Sequence, residues 1–210
     1  MDGWVRAVTG MDESDAGLLA ATARGDAEAF GRFYRRHEHR VLGYAIARCA
    51  NASDVADAVG ETFLAALGAA GRFSDDGGDA VPWLLGIARR VLAHQRRSAA
   101  RRQRLIRRLE TLPSFSPAEA DAVDAAVDAA RLAPELAAAL AKLRPRDQEL
   151  LQLVGRDGLS PAQAGAVLNM NPNTARIRLS RARARVKDLL AAAGERGPAG
   201  QRREESDVQP

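Results

Sequence analysis

Apolar residues recur along this chain at steps of three and four, and no stretch alternates apolar and polar residues as a strand would, so the pattern predicts an all-α protein. Asp15 to Ala23 suits a short helix. Gly25 breaks the pattern, and Asp26 is placed to cap a longer helix from Ala27 to about Cys49, with Phe30, Phe33, Tyr34, Val41, Ala45 and Ile46 at roughly helical spacing. The next start is NASD, with Ser53 the expected cap, and Val55, Ala58, Val59, Thr62, Phe63 and Ala66 then line one face. Paired glycines and a proline in GRFSDDGGDAVP end that helix before another begins at VPWLLGIARRVLAHQRR, whose inward stripe is Leu84, Ile87, Ala88 and Val91.

Beyond Arg108 the periodicity fades. LETLPSFSPAEADAVDAAVDAA is acidic, proline-punctuated and poor in large apolar residues, which reads as a flexible linker with transient helix around Pro117 to Arg131. A second helical block runs from near Leu132 to about Ala193, and the polar tail after it is expected to be disordered. The predicted plan is a disordered segment 1–14, a helical domain 15–108, a linker 109–131, a second helical domain 132–193 and a tail 194–210.

The second block contains two helix starts close together. Ser160, Pro161 and Gln163 form a capping-box pattern with proline at the first helical position, and Asn171-Pro172 repeats the cap-then-proline device eleven residues later. A short helix, a turn of about three residues and a longer helix make a helix-turn-helix. On the longer helix Ala175, Leu179, Ala182 and Val186 face inward, while Asn173, Arg176, Ile177, Ser180 and Ala184 lie opposite and Arg178, Arg181, Arg183 and Arg185 flank them. In such motifs the first residues of the second helix meet base edges and flanking arginines hold phosphates, so Asn173 and Arg176 are candidate base readers and Ile177 a partner for a thymine methyl.

Charge sharpens this picture. The formal net charge of +4 is modest, but Arg89 to Arg108 contains nine arginines and no carboxylate, whereas Glu110 to Glu135 is acidic. Segregation of this kind points to a polyanionic partner. The helix Val81 to Arg97 carries Trp83, Arg90, His94 and Arg97 on the side away from its apolar stripe. The preceding helix shows Asp54, Asp57, Glu61 and Leu64 opposite its own stripe, an acidic ridge ending in a leucine and suited to a basic protein surface.

Other chemistry finds little support. Aromatic residues make up only 4% of the chain, so the core is built mainly from Ala, Leu and Val. Cys49 is the sole cysteine, which forbids an intrachain disulfide and fits a reducing, cytoplasmic compartment. No apolar run reaches the length of a membrane span, and the first residues lack a signal-peptide core. His37, His39 and Cys49 are close in sequence, yet two residues on a helix point about 200° apart and no fourth ligand offers itself, so no metal site is expected. No nucleophile–base pair or glycine-rich phosphate loop is present, and neither catalysis nor a cofactor is expected.

Taken in order, these segments resemble the extracytoplasmic-function sigma factors of the sigma-70 family, the promoter-specificity subunits of bacterial RNA polymerase. LLAATARGDAEAFGRFYRRHEHRVLGYA is similar to region 2.1, DVADAVGETFLAAL to region 2.2, VPWLLGIARRVLAHQRR to regions 2.3 and 2.4, and LAKLRPRDQELL through RARVKDLL to region 4. The resemblance covers about Asp15 to Leu190. It implies a region 2 bundle and a region 4 helix-turn-helix joined by a flexible linker. It further implies that Asp54, Asp57, Glu61 and Leu64 dock on the clamp helices of the largest polymerase subunit, with region 4 on the flap of the second largest. Trp83, Arg89, Arg90, His94, Arg96 and Arg97 would meet the −10 element, and Asn173, Thr174, Arg176, Ile177, Arg178 and Arg181 the −35 element. The acidic linker would pass through the RNA exit path, and an anti-sigma factor is a possible further partner.

The chain departs from the family pattern at three places. Gly60 stands where Gln often precedes the region 2.2 glutamate, Arg90 replaces the Asn of Ala-Arg-Asn, and His94 replaces an aspartate. The last two make the −10 surface more basic. The competing reading is a stand-alone helix-turn-helix regulator with an N-terminal sensor domain, which leaves the acidic ridge and the Trp-Arg helix without a role.

Overall fold

A computed structural model describes residues 14–74, 79–109 and 134–194, with the backbone alone at 107–109. The chain divides into two compact units, Met1–Ile106 and Arg107–Pro210. The expected disordered ends, most of the linker and its transient helix lie outside the described residues.

The first unit holds α1 (Asp15–Ala23), α2 (Ala27–Ile46), α3 (Ala52–Ala69), a 3-10 turn (Ala70–Arg72) and the start of α4 (Val81–Leu109). Local signals set these boundaries. Ser14 caps α1 by accepting from the Gly17 N–H. Gly25 at φ 96° then closes α1, its N–H bonding to Thr22 O while the Asp26 N–H reaches Ala21 O. Only glycine takes that left-handed conformation without strain. Asp26 next caps α2 through the Ala29 N–H, so only three residues separate the end of α1 from the start of α2. The start of α3 differs from expectation. Asn51, not Ser53, is the cap, its side chain accepting from Asp54 N–H and donating to the Asp54 carboxylate. That reciprocal pair satisfies one orphan amide and ties up the aspartate, whereas Ser53 already lies inside the helix. α2 also ends earlier than expected, at Ile46.

Packing joins α1 to α2 and α2 to α3, with α4 closing the core. Leu18 and Leu19, Phe33 and Val41, Phe63 and Ala66, and Leu84 and Ile87 meet in one buried cluster. Phe63 sits edge-on to Phe30 at 6.5 Å and lies 4.5 Å from the Tyr34 ring. Few aromatics suffice because nearly all of them are here; no described residue of the second unit is aromatic. The core is wider than the sequence stripe indicated, since Leu85 and Leu92 of α4 are also buried.

One polar junction fastens the start of α1 to the middle of α2 and to the residues that lead into α4. Asp15, at the start of α1, accepts from Arg36 of α2 at 2.9 Å and from the Ala80 N–H at 3.2 Å. His37 Nε2, on a buried ring, stands 2.9 Å from Asp15 Oδ2, although its N–H is not aligned for a hydrogen bond. His39 faces solvent. Donor atoms of Asp15, His37 and Asp79 all fall within 4.8 Å of one another, but Asp15 is already engaged through both oxygens and Asp79 caps Val81 N–H. We read the group as a structural clasp. Burial raises the Asp15 carboxyl, but His37, Arg36 and the Ala80 amide outweigh it and leave the group below its ordinary value. A depressed acid stabilises the fold above its unfolded pKa of about 3.9 and loses that contribution as pH falls through the folded value. Asp15→Asn is therefore expected to destabilise the first unit by about 2 kcal/mol at neutral pH and to flatten its acid limb, read by denaturant melts across pH 2 to 7.

The second unit comprises α5 (Pro134–Ala141), α6 (Pro145–Gly155), α7 (Pro161–Val167) and α8 (Pro172–Gly194), with α5, α6 and α7 all packed on α8. Its core is aliphatic: Leu150, Leu153, Leu159, Val167, Leu168 and Leu179, with Ala164, Ala175 and Ala182 filling the close approaches. No helix among the described residues is long and apolar enough to cross a membrane.

Candidate functional site

The helix-turn-helix is α7, the link Leu168 to Asn171, and α8. The capping box forms as expected: Ser160 Oγ accepts from Gln163 N–H, and Gln163 Oε1 accepts from Ser160 N–H. α7 ends with Asn169 at φ 51°, its N–H reaching Ala166 O while the Met170 N–H reaches Gly165 O at 2.8 Å. These paired bonds turn the chain sharply. Asn171 then accepts from the Asn173 N–H and starts α8. The two helices nearly touch at the crossing, because a Cβ built on Gly165 would lie 2.9 Å from Ala175 Cβ and 3.3 Å from Met170 O.

This crossing decides what α8 shows to solvent. Ala175, Leu179 and Ala182 are buried, while Asn173, Thr174, Arg176, Ser180 and Arg181 are exposed and Ile177 is 45% exposed. Ile177 is thus an apolar side chain left open on a mostly polar face. Arg178 departs from this set. Its Nε lies 2.7 Å from Asp147 Oδ1 at the start of α6, so it braces α6 against α8. Sequence reasoning missed Asp147, since an acid in a helix's first turn carries no sign of a partner 31 residues away.

In the first unit, the exposed acidic ridge of α3 narrows to three residues. Asp54 is engaged by the Asn51 cap, whereas Asp57 and Glu61 are exposed and form no ion pair among the described residues. Leu64 follows at 69% exposure. Beneath them, Thr62 donates to Ala58 O and stays fully buried, so the ridge rides on a rigid, satisfied helix.

α4 sorts its polar residues in three ways. Arg90, His94 and Arg97 are exposed on one side. Arg96 folds back to donate to Arg48 O just beyond the end of α2, and Arg89 is half-buried. Trp83 is also half-buried, packing against the core and meeting Phe73 edge-on at 5.2 Å. The tryptophan thereby anchors the loop residue Phe73 to the first turn of α4, a partnership that ring spacing in sequence does not reveal. α4 itself continues past Arg97 to Leu109.

Two stretches match known families: residues 33–102 match Sigma-70 region 2, and residues 134–186 match Sigma-70, region 4. The chain is 31% identical over 161 residues to the ECF RNA polymerase sigma factor BldN of Streptomyces coelicolor, covering 73% of this chain but only 57% of that relative. It is 30% identical over 170 residues to the RNA polymerase sigma factor CarQ of Myxococcus xanthus, covering 79% of this chain and 91% of CarQ. The solved structure of CnrH in complex with the cytosolic domain of CnrY superimposes with a TM-score of 0.58 at 29% identity, over 85% of this chain and 97% of that one. Region 2 before region 4, each on its own helical unit, places this chain among the extracytoplasmic-function sigma factors of the sigma-70 family.

Proposed function

We propose that the chain binds core RNA polymerase through Asp57, Glu61 and Leu64 of α3, meets the −10 element with α4 and reads the −35 element with α8. Residues 15–108 serve as region 2, 109–131 as the linker and 132–193 as region 4. The observation that carries this reading is the pairing, in one chain, of an exposed acidic ridge, Asp57 and Glu61, that forms no ion pair among the described residues and an open recognition helix. A stand-alone regulator needs only the second. Flap docking falls to the second unit, the work is done in the cytoplasm, and an anti-sigma partner fits the same account, CnrH having been solved with the cytosolic domain of CnrY. The chain acts as a regulatory subunit and itself performs no reaction.

Energetics favour such a division. Opening a promoter costs about 1.4 kcal/mol per base step in lost stacking. Capture of unstacked bases returns roughly 1–3 kcal/mol each, and polymerase binding supplies the rest. On α4, the exposed Arg90 and Arg97 offer the cationic surface, with the exposed His94 between them, while Trp83 packs on Phe73 ahead of the helix. On α8, Asn173 and Arg176 read base edges, with Thr174 and Arg181 positioned for phosphates and Ile177 for a thymine methyl. Arg178 contributes by holding α8 in place.

Runoff transcription on genomic fragments with reconstituted polymerase tests the reading. Transcripts that start at defined sites only when both components are present support it; a tight, specific DNA complex without polymerase, and no transcript with it, would refute it. Within that assay Arg176→Ala is expected to lower use of the preferred −35 sequence by about 1–3 kcal/mol, roughly 5- to 150-fold, while leaving a template with a scrambled −35 element unaffected. Arg178→Ala is expected to lower both thermal stability and −35 use, because its contact is to Asp147.

A further inference from the structure

The clasp at the start of α1 leaves one atom unused. The His37 ring is buried, and its Nε2 has no hydrogen-bond partner among the described residues. That nitrogen faces a carboxylate, 2.9 Å from Asp15 Oδ2. A buried ring nitrogen without a partner has given up its hydration for nothing, so folded proteins rarely keep one without a use.

A second carboxylate completes its surroundings. Donor atoms of Asp15, His37 and Asp79 all lie within 4.8 Å of one another. Ligands about 2.1 Å from a tetrahedral ion stand about 3.4 Å apart, so a shift of about 1 Å in the exposed Asp79 side chain brings all three into one coordination shell. The hydrogen bonds already present leave room for this. Asp15 accepts from Arg36 on Oδ1 and from Ala80 N–H on Oδ2, and Asp79 accepts from Val81 N–H on Oδ1. Each carboxylate oxygen carries two lone pairs, and hydrogen bonds of this kind hold ligating carboxylates in position. Arg36 offsets only one of the two carboxylate charges, which leaves the group suited to a cation.

We propose that this clasp is a divalent transition-metal site, filled best by zinc. His37 Nε2 and one oxygen each from Asp15 and Asp79 are the protein ligands, and water takes the fourth position. The ring binds as the tautomer with its proton on Nδ1. One imidazole and two carboxylates suit zinc, whereas magnesium and calcium favour all-oxygen shells. The ion ties three elements together, because Asp15 opens α1, His37 lies in the middle of α2 and Asp79 stands two residues before the start of α4. It thereby steadies the entry to α4, two turns of which carry Trp83 and Arg90. Any effect of metal on promoter opening rests on the proposed function; the site itself does not.

The test uses the full chain, stripped with a chelator and titrated with zinc chloride against a chromogenic competitor. One zinc per chain is expected, with a rise in melting temperature on saturation. Asp79→Asn keeps an oxygen for the Val81 N–H and should fold normally, yet bind zinc at least about tenfold more weakly and lose most of the thermal shift. His37→Gln should weaken binding at least as much. His39→Ala removes the solvent-facing histidine of the same helix and should change nothing. In proton NMR spectra, zinc should move the ring resonances of His37 and leave those of His39 in place. Failure to bind one zinc per chain overturns the proposal. Unchanged affinity in Asp79→Asn also overturns it, by placing the ion elsewhere, and so does an equal loss in His39→Ala. None of these readings involves polymerase or DNA, so failure of the proposed function would leave them as they are.

Discussion

Replacing Asp57 and Glu61 together with arginine is expected to weaken binding to core polymerase at least about 100-fold, close to 3 kcal/mol, and to remove initiation to the same extent. Both carboxylates are exposed and have no ion-pair partner among the described residues, so the double reversal leaves the fold with nothing to lose. Placed against a basic surface, the variant juxtaposes like charges where opposite ones had met. Helix content and melting temperature should match wild type. Asp54→Arg provides the contrast: Asp54 belongs to the Asn51 cap, so its loss should cost about 1 kcal/mol of stability first and affinity second. Equilibrium binding to core by fluorescence anisotropy separates these outcomes. An affinity unchanged by Asp57→Arg/Glu61→Arg removes α3 from the interface.

A comparably large effect is expected at a residue that touches neither DNA nor polymerase. Gly165→Val should abolish −35-dependent initiation. Helix propensity alone favours replacing a mid-helix glycine, by about 0.5–1 kcal/mol for alanine. The crossing opposes it more strongly. A Cβ at 165 meets Ala175 Cβ at 2.9 Å, and alanine has no flexible end to move aside. Overpacking of this kind costs typically about 1–3 kcal/mol, and the branched valine adds two further methyl groups to the same gap. A unit of this size has only about 3–9 kcal/mol in total. Gly165→Ala should thus be mildly destabilising despite its better propensity, and Gly165→Val should unseat α8. Hydrogen exchange should report lost protection from Pro161 to Gly194 and unchanged protection from Asp15 to Leu92. Initiation should fall to the level seen on a template with a scrambled −35 element. Preserved exchange in α8 would show that the helices can part at the crossing without loss.

Features set by neighbours in sequence were legible in advance. The Ser160–Gln163 box, the Asn171-Pro172 start and the Asp26 cap depend on residues within three positions, and each forms as read. The inward faces of α3 and α8 follow from helical period and hold at Ala58, Thr62, Phe63, Ala66, Ala175, Leu179 and Ala182, while Val55, Val59 and Val186 are only half-buried. The NASD start misled because two good capping residues stand two positions apart, and only Asn51 leaves Asp54 at the position that returns the bond. Contacts between distant residues were hidden. Nothing local to Asp15 announces Arg36 or His37, nothing in Asp147 announces Arg178, and Trp83 reads as an exposed aromatic until Phe73 is seen beside it. The effect on the site is specific. Asp54, Arg96 and Arg178 share chemistry with their neighbours yet are spent on structure, whereas Asp57, Glu61, Arg90, His94, Arg97, Asn173, Arg176 and Arg181 are among the polar site residues left open.

Permanganate reactivity of promoter thymines tests the central claim most directly, since it marks bases that have left the duplex. The protein alone and core polymerase alone should each leave the DNA unreactive, and together they should expose thymines around the −10 element upstream of the mapped start. Reactivity that never appears with the assembled pair, while the protein alone protects a specific duplex site, would contradict the account and make the chain a DNA-binding regulator.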